Sequence, residues 1–305
     1  MPPTPTFRKP HSLCRGDPVA VVAPAGPVER QALEPALAVL GERYAVRLAP
    51  DLFDRHRYLA GSDSRRLNEL SVALNDPDIK AVFCARGGYG SMRLVSRLAP
   101  LAAGGALKPV VGISDITALH AWLLLQGLVT FHGSVLTQFA RAPEEARQRM
   151  IDLLESTEPL KPLVGASTYV GGTVEGPLIG GNMAVLTRLL GTPFFPPVDG
   201  AILLLEDIAE RPYMLDRMWT HLELAGVFRR VQGIALGTFV NCEDQDAKYS
   251  SNEVLRDLAV ETGLPCASGF PIGHLDTNAS VPLGTRVRLS ADSQRLEFLE
   301  GATRA

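Results

Sequence analysis

Between Pro18 and Ser134 short apolar, β-branched runs alternate with stretches of helical periodicity, and that alternation leaves few architectures open. PVAVVAPA, YAVRLAP, IKAVFCA, KPVVGIS and LVTFHGS read as strands; VERQALEPALAVLGER, SDSRRLNELSVALNDP, SMRLVSRLAP and DITALHAWLLLQG read as the helices between them. Runs this apolar have no polar face to offer water, so both faces of their sheet must be covered. A mostly parallel sheet with helices on both sides is predicted.

The texture changes after a helical segment near residues 143 to 155 and the Pro-containing stretch EPLKPLVGAS, which would serve as a linker. TYVGGTVEGPLIGG, AILLLED, VQGIALGTFV, SVPLGTRVRLS and QRLEFLEG look like shorter strands, the last two joined as a hairpin through ADS. Helices around PYMLDRMWTHLELAG and SNEVLRDLAVETG interrupt them. The expected organisation is an α/β domain over residues 1 to 165 and a mixed, β-rich domain over 166 to 305, built around a small sheet or barrel.

Composition narrows the classes of function. The 305 residues are 46% hydrophobic and 21% charged with a net charge of -3, and no run of lysine and arginine could neutralise a series of phosphates, so nucleic acid is not an expected partner. MPPTPTFRKPHSLCRGD lacks the apolar centre of a secretory signal, and no stretch reaches the roughly 18 apolar residues of a membrane span. A cytoplasmic chain is expected. Cys14, Cys84, Cys242 and Cys266 are scattered without a C-x-x-C pair, so free buried thiols, with no metal site, are the expectation.

KPVVGISDITALHAWLL places Ser114 and Asp115 where an apolar strand meets a helix, and ligands of parallel α/β sheets bind at that end of the strands. A serine on such a turn can project its hydroxyl outward, while the Asp115 N–H and the helix start favour a developing oxyanion. Capping of the helix would use the same residues. Ile116 stands where the G-x-S-x-G elbow has its second glycine. A second glycine-rich junction, FCARGGYGSMRLV, lacks the third glycine of a dinucleotide fingerprint and any phosphate-loop lysine, so no nucleotide cofactor is predicted. Backbone donors at Gly87 and Gly88 could supply the other half of an oxyanion hole, or the loop could be a tight βα turn.

A serine nucleophile needs a base. His11 and His56 lie in polar segments, and His120 and His221 within helical patterns; His132 in TFHGSV and His274 in GFPIGHLDTNASVPLG remain. Glu206, directly after AILLL, could orient the imidazole, with Asp207 its rival and capping ahead of Pro212 the ordinary reading of both.

These motifs together resemble the LD-carboxypeptidases, serine peptidases whose family also includes the microcin C self-immunity peptidases. VAVVAPAGPV, ARGGYGSMRLV, VVGISDITALH, GLVTFHGSV, PLIGGNMAVLTRLLGTPF, LLLEDIAERPYMLDRMWTHLELAG, VQGIALGTF and FPIGHLDTNASVPLG carry the resemblance in that order. It implies Ser114 as nucleophile, His274 as base and Glu206 as its orienting carboxylate. It also implies an α/β domain bearing the serine, a smaller barrel-like domain bearing the other two, a cleft between them, and a homodimer. The implied substrate is a small cell-wall tetrapeptide whose terminal D-alanine is removed from the L-centre of a diamino acid. Arg86 and the turn of Gly180, Gly181 and Asn182 are candidates for its free carboxylate, a surface salt bridge being the ordinary role of Arg86. An antibiotic-cleaving relative would need an aromatic stacking group, and Trp122 and Trp219 both fall in helical patterns. A non-catalytic protein closing on a small ligand is a further alternative.

Overall fold

The computed structural model describes residues 5–101, 107–244 and 246–305. Its strands are β1 (Pro18–Val22), β2 (Ala45–Leu48), β3 (Ala81–Cys84), β4 (Val110–Gly112), β5 (Thr130–His132), β6 (Leu163–Val164), β7 (Ser167–Val170), β8 (Thr173–Asn182), β9 (Ile202–Ile208), β10 (Gly233–Val240), β11 (Cys266–Ser268), β12 (Val281–Leu283), β13 (Arg286–Ser290) and β14 (Arg295–Phe298).

The first sheet has the order β12-β5-β4-β3-β1-β2, and its members β1 to β5 are all parallel. Alternate residues feed two separate cores. Val19, Val21, Ala81, Phe83 and Val111 pack on one face; Ala20, Val22, Val82, Cys84 and Val110 pack on the other. That is the two-sided burial the apolar runs demand, and it confirms the parallel α/β reading. Local chemistry sets the helices: Ser62 caps Asp63–Asn75 through the Arg65 N–H, and Ser250 and Glu253 form a capping box at the start of Ser251–Thr262.

The second sheet has eight strands in the order β6-β14-β13-β8-β9-β10-β11-β7, with β8 to β11 parallel and the flanking pairs antiparallel. Its two edge strands, β6 and β7, are separated in the chain only by Gly165 and Ala166. Gly165 N–H bonds Gln294 O and Ala166 N–H bonds Ser268 O, both at 2.7 Å. A sheet whose edges are joined by so short a connection must curl toward itself, and this produces the barrel-like form.

SVPLGTRVRLS, which reads as one strand, is two. Val281–Leu283 runs antiparallel to β5 in the first sheet, whereas Arg286–Ser290 pairs with β8 and β14 in the second. Gly284, at φ 93°, provides the left-handed turn between them, and a Cβ there would meet the Phe7 ring at 3.0 Å. The chain therefore returns to the first sheet before finishing the second. The ADS turn does join β13 to β14. A short helix, Met183–Arg188, directly continues β8 and has no strong periodic signature in the sequence. Cys84, Cys242 and Cys266 are buried free thiols, but Cys14 is exposed.

Candidate active site

Ser114 follows β4 by two residues and opens a short 3-10 turn that leads into helix Thr117–Leu125. Its φ is 68°, a left-handed conformation that costs a non-glycine residue roughly 1–3 kcal/mol. From Lys108 to Leu124 every other residue is buried, so the turn lifts this one side chain toward solvent. Neither helical start is capped by a side chain, so capping does not explain the serine.

The glycine-rich junction lies against it. A Cβ on Gly87 would come 2.8 Å from Ser114 Cβ and 3.2 Å from its Oγ, a separation only glycine permits. Gly88 has φ 103° and packs on Gly26, whose N–H bonds Gly87 O at 2.9 Å. Asp115 ties the two junctions together, because its buried carboxylate accepts from Ser91 N–H at 2.7 Å and its carbonyl from Ser91 Oγ. Burial pushes the Asp115 carboxyl upward, and the Ser91 bonds oppose that. Arg66, fully buried, donates to Gly90 O at 2.8 Å and to Pro24 O, tying the glycine-rich loop to the loop that follows β1.

The second group of residues comes from the curled sheet. Glu206 lies within β9, completely buried, and its Oε2 is 2.8 Å from His274 Nδ1. His274 belongs to a loop held by two bonds. Asn278 Oδ1 accepts from Gly273 N–H at 2.9 Å, and Ala279 N–H bonds Pro271 O at 2.7 Å. Gly273 and Gly237 allow close approach, since a Cβ on either would fall within 3.2 Å of Glu206. Burial would raise the Glu206 carboxyl, but the imidazoles of His132 and His274 outweigh it and hold it at about 2. His274 is raised above its ordinary value: desolvation opposes this, and the Glu206 bond and charge prevail.

The structure joins the halves through contacts between the sheets. Asn182 N–H bonds Thr117 Oγ1 at 3.0 Å, and Gly181 has no room for a Cβ beside that hydroxyl. His132, on β5, is register partner to Gly112, and its Nε2 lies 3.8 Å from Glu206 Oε1. Ser114 and His274 make no hydrogen bond with each other, and His274 Nε2 is buried without a partner. His120 is a core histidine. It is bonded to Thr130 Oγ1 and Gly112 O, and burial pushes it down to about 3.

Asp207 does not cap Pro212–Leu224. Its carboxylate accepts from Asn182 Nδ2, Ala184 N–H and Ile208 N–H, which caps Met183–Arg188 instead, and burial and the Glu206 charge raise it to about 6. Arg86 donates to Pro27 O at 2.8 Å. The role of Asn278, buried where it accepts from Gly273 N–H, is a tertiary property without a local signal in the sequence.

A strained serine held against a glycine-rich loop, together with a histidine oriented by a buried carboxylate, makes a candidate serine-hydrolase site. Comparison with known proteins gives the class a family. Residues 19–133 match the LD-carboxypeptidase N-terminal domain and residues 175–289 the LD-carboxypeptidase C-terminal domain. A probable murein peptide carboxypeptidase of Bacillus subtilis is 36% identical over 92% of this chain and 91% of its own length. A murein tetrapeptide carboxypeptidase of Pseudomonas aeruginosa is 33% identical over 91% and 94%. Among solved structures, muramoyltetrapeptide carboxypeptidase from Oxalobacter formigenes superposes with a TM-score of 0.85 at 31% identity, covering 94% of this chain and all of the other. The microcin C7 self-immunity protein MccF shares the fold, with a TM-score of 0.88 at 22% identity over 97% of this chain and 100% of its own. The chain belongs to the LD-carboxypeptidase family, and is a serine-type carboxypeptidase, a hydrolase.

Proposed function

We propose that the chain hydrolyses the amide between the L-centre of a diamino acid and the terminal D-alanine of a cell-wall tetrapeptide, with Ser114 as nucleophile, His274 as base and Glu206 as the carboxylate that orients it. His274 takes the Ser114 proton, Ser114 Oγ attacks the carbonyl, and the oxyanion is met by the backbone N–H groups of Asp115 and Gly88. His274 then protonates the leaving amine of D-alanine, and water releases the acyl-enzyme by the same steps in reverse order.

The observation that carries this reading is the left-handed Ser114, held against Gly87 and lifted from an otherwise buried run. A conformation that costs stability and satisfies no helix start has its rationale in chemistry. Substrate class is supported by the murein and muramoyltetrapeptide carboxypeptidases among the relatives. It is also supported by the burial of Trp122 and Trp219, which leaves neither available to stack on a nucleobase. A place in cell-wall recycling in the cytoplasm and a homodimeric state belong to the same proposal; no helix among the described residues is long and apolar enough to cross a membrane.

The test is incubation with synthetic tetrapeptides that differ only in the chirality of the last residue, followed by mass spectrometry. Release of terminal D-alanine, and not of L-alanine, is expected. Ser114→Ala should lower the rate by about 10⁴-fold or more with the melting temperature unchanged. Near-normal turnover by that variant would end the proposal.

A further inference from the structure

The two oxygens of Glu206 are served unequally. Oε2 accepts from His274, whereas Oε1 is buried, has no hydrogen-bond partner, and lies 3.8 Å from His132 Nε2. His132 is itself completely buried, and neither of its ring nitrogens has a partner. Interiors rarely leave such groups unpaired, and here a potential donor faces an unused acceptor. A closure of about 0.8 Å would bring the pair to an ordinary N–H···O distance.

The location gives the contact a purpose. His132 ends β5 and is paired in register with Gly112, two residues ahead of Ser114. Glu206 is on β9, in the other sheet. The His132 to Glu206 approach therefore runs from the sheet that leads into Ser114 to the sheet that carries Glu206. The ring also lies beside β8, where a Cβ on Gly181 would be in ordinary contact with His132 Cδ2 at 3.5 Å.

We propose that His132 is a positioning residue for hydrolysis, its Nε2–H donating to Glu206 Oε1 so that the carboxylate is fixed in the orientation that holds His274. No proton moves along this bond; it sets geometry and charge. The inference rests on the reading of Glu206 as the orienting carboxylate. The titratable groups around His132 are Glu206 on β9, His120 on helix Thr117–Leu125 with ring centroids 6.4 Å apart, and, beyond Glu206, His274 and Asp207. Removing a donor from the Glu206–His274 pair leaves its negative charge less compensated. The pair then takes up a proton more readily, and the acid limb of the pH profile moves to higher pH.

Two variants of similar length separate donor from bulk: His132→Gln keeps an N–H at the end of the side chain, and His132→Met does not. We expect His132→Met to lose roughly 10- to 100-fold in kcat with KM within about threefold, and to shift the acid limb of kcat/KM upward by about half a unit to one unit. His132→Gln should recover most of both. A His132→Met enzyme with the parent kcat and pH profile, whatever its melting temperature, overturns the proposal, and so does a His132→Gln enzyme as impaired as His132→Met. A measurement on the intact interior covers the case in which neither variant folds. In ¹⁵N-histidine-labelled Ser114→Ala protein, the ring shifts should show His132 as the Nε2–H tautomer, and an Nδ1–H tautomer overturns the bond. This reading needs no turnover, so it stands or falls separately from the assignment of Ser114.

Discussion

The two halves of the candidate site are made from different materials. The Ser114 half is built of backbone: a left-handed serine, a glycine that accepts no Cβ, and loops braced by Ser91, Asp115 and Arg66. The Glu206 half is built of buried charge, a carboxylate inside a curled sheet and an imidazole on a loop held by hydrogen bonds. A site divided this way fails differently on its two sides. Steric changes should damage the first half, and charge changes of nearly constant shape should damage the second.

The largest effect should come from Glu206→Gln, which keeps the shape and removes the charge. A loss of about 10³- to 10⁴-fold in kcat is expected, because the His274 tautomer and its charged form lose their support. The pH profile sharpens this. With His274 as the proposed base, activity depends on its neutral form, and Glu206 raises its value, so the acid limb of kcat/KM in the parent enzyme should lie above about 6.5 and move to lower pH in the variant. Stability runs the other way. A raised imidazole stabilises the fold fully below its unfolded value of about 6.5, and the contribution fades as pH rises through the folded value. The depressed Glu206 carboxyl contributes above its unfolded value of about 4.3, and that contribution is lost as pH falls toward about 2. An unmoved acid limb in Glu206→Gln would mean that the two halves are not divided as described.

The backbone half should respond to Gly87→Ala by about 10²-fold in kcat. The added Cβ would fall 2.8 Å from Ser114 Cβ, and a displacement of the proposed nucleophile by even part of an ångström is costly. Gly41→Ala is the control: nothing lies within 4 Å of its Cβ position, and activity should not change. Full activity in Gly87→Ala would show that the loop can yield without moving the serine.

The same contrast governs what the residues disclose before folding. The parallel sheet was legible because its strands are apolar on both faces, a property each run carries locally. The crossing of β12 was not, because SVPLGTRVRLS is continuous in character and only the partners, β5 on one side and β8 on the other, divide it. The strand-to-helix junction marked Ser114, yet capping and catalysis use the same letters; the positive φ and the missing cap bond that separate them arise from the fold. His132 and His274 could not be ranked from their surroundings in the chain, and the structure gives the reason. Both converge on Glu206, His132 from the end of β5 and His274 from the loop between β11 and β12.

The smallest effect concerns the strain itself. Ser114→Gly removes the hydroxyl and also relieves the left-handed backbone, whereas Ser114→Ala removes the hydroxyl and keeps the Cβ that makes φ 68° costly. Both should be inactive. Glycine should nevertheless be the more stable of the two by about 1 kcal/mol, since relief of the strained conformation exceeds the entropy that glycine adds to the unfolded chain. In a protein of this size that is a difference of roughly 2 °C in melting temperature, within reach of calorimetry on the two variants side by side. Equal melting temperatures would mean that the turn is comfortable without glycine. The strain at Ser114 could then no longer stand as evidence that function, rather than folding, placed it there.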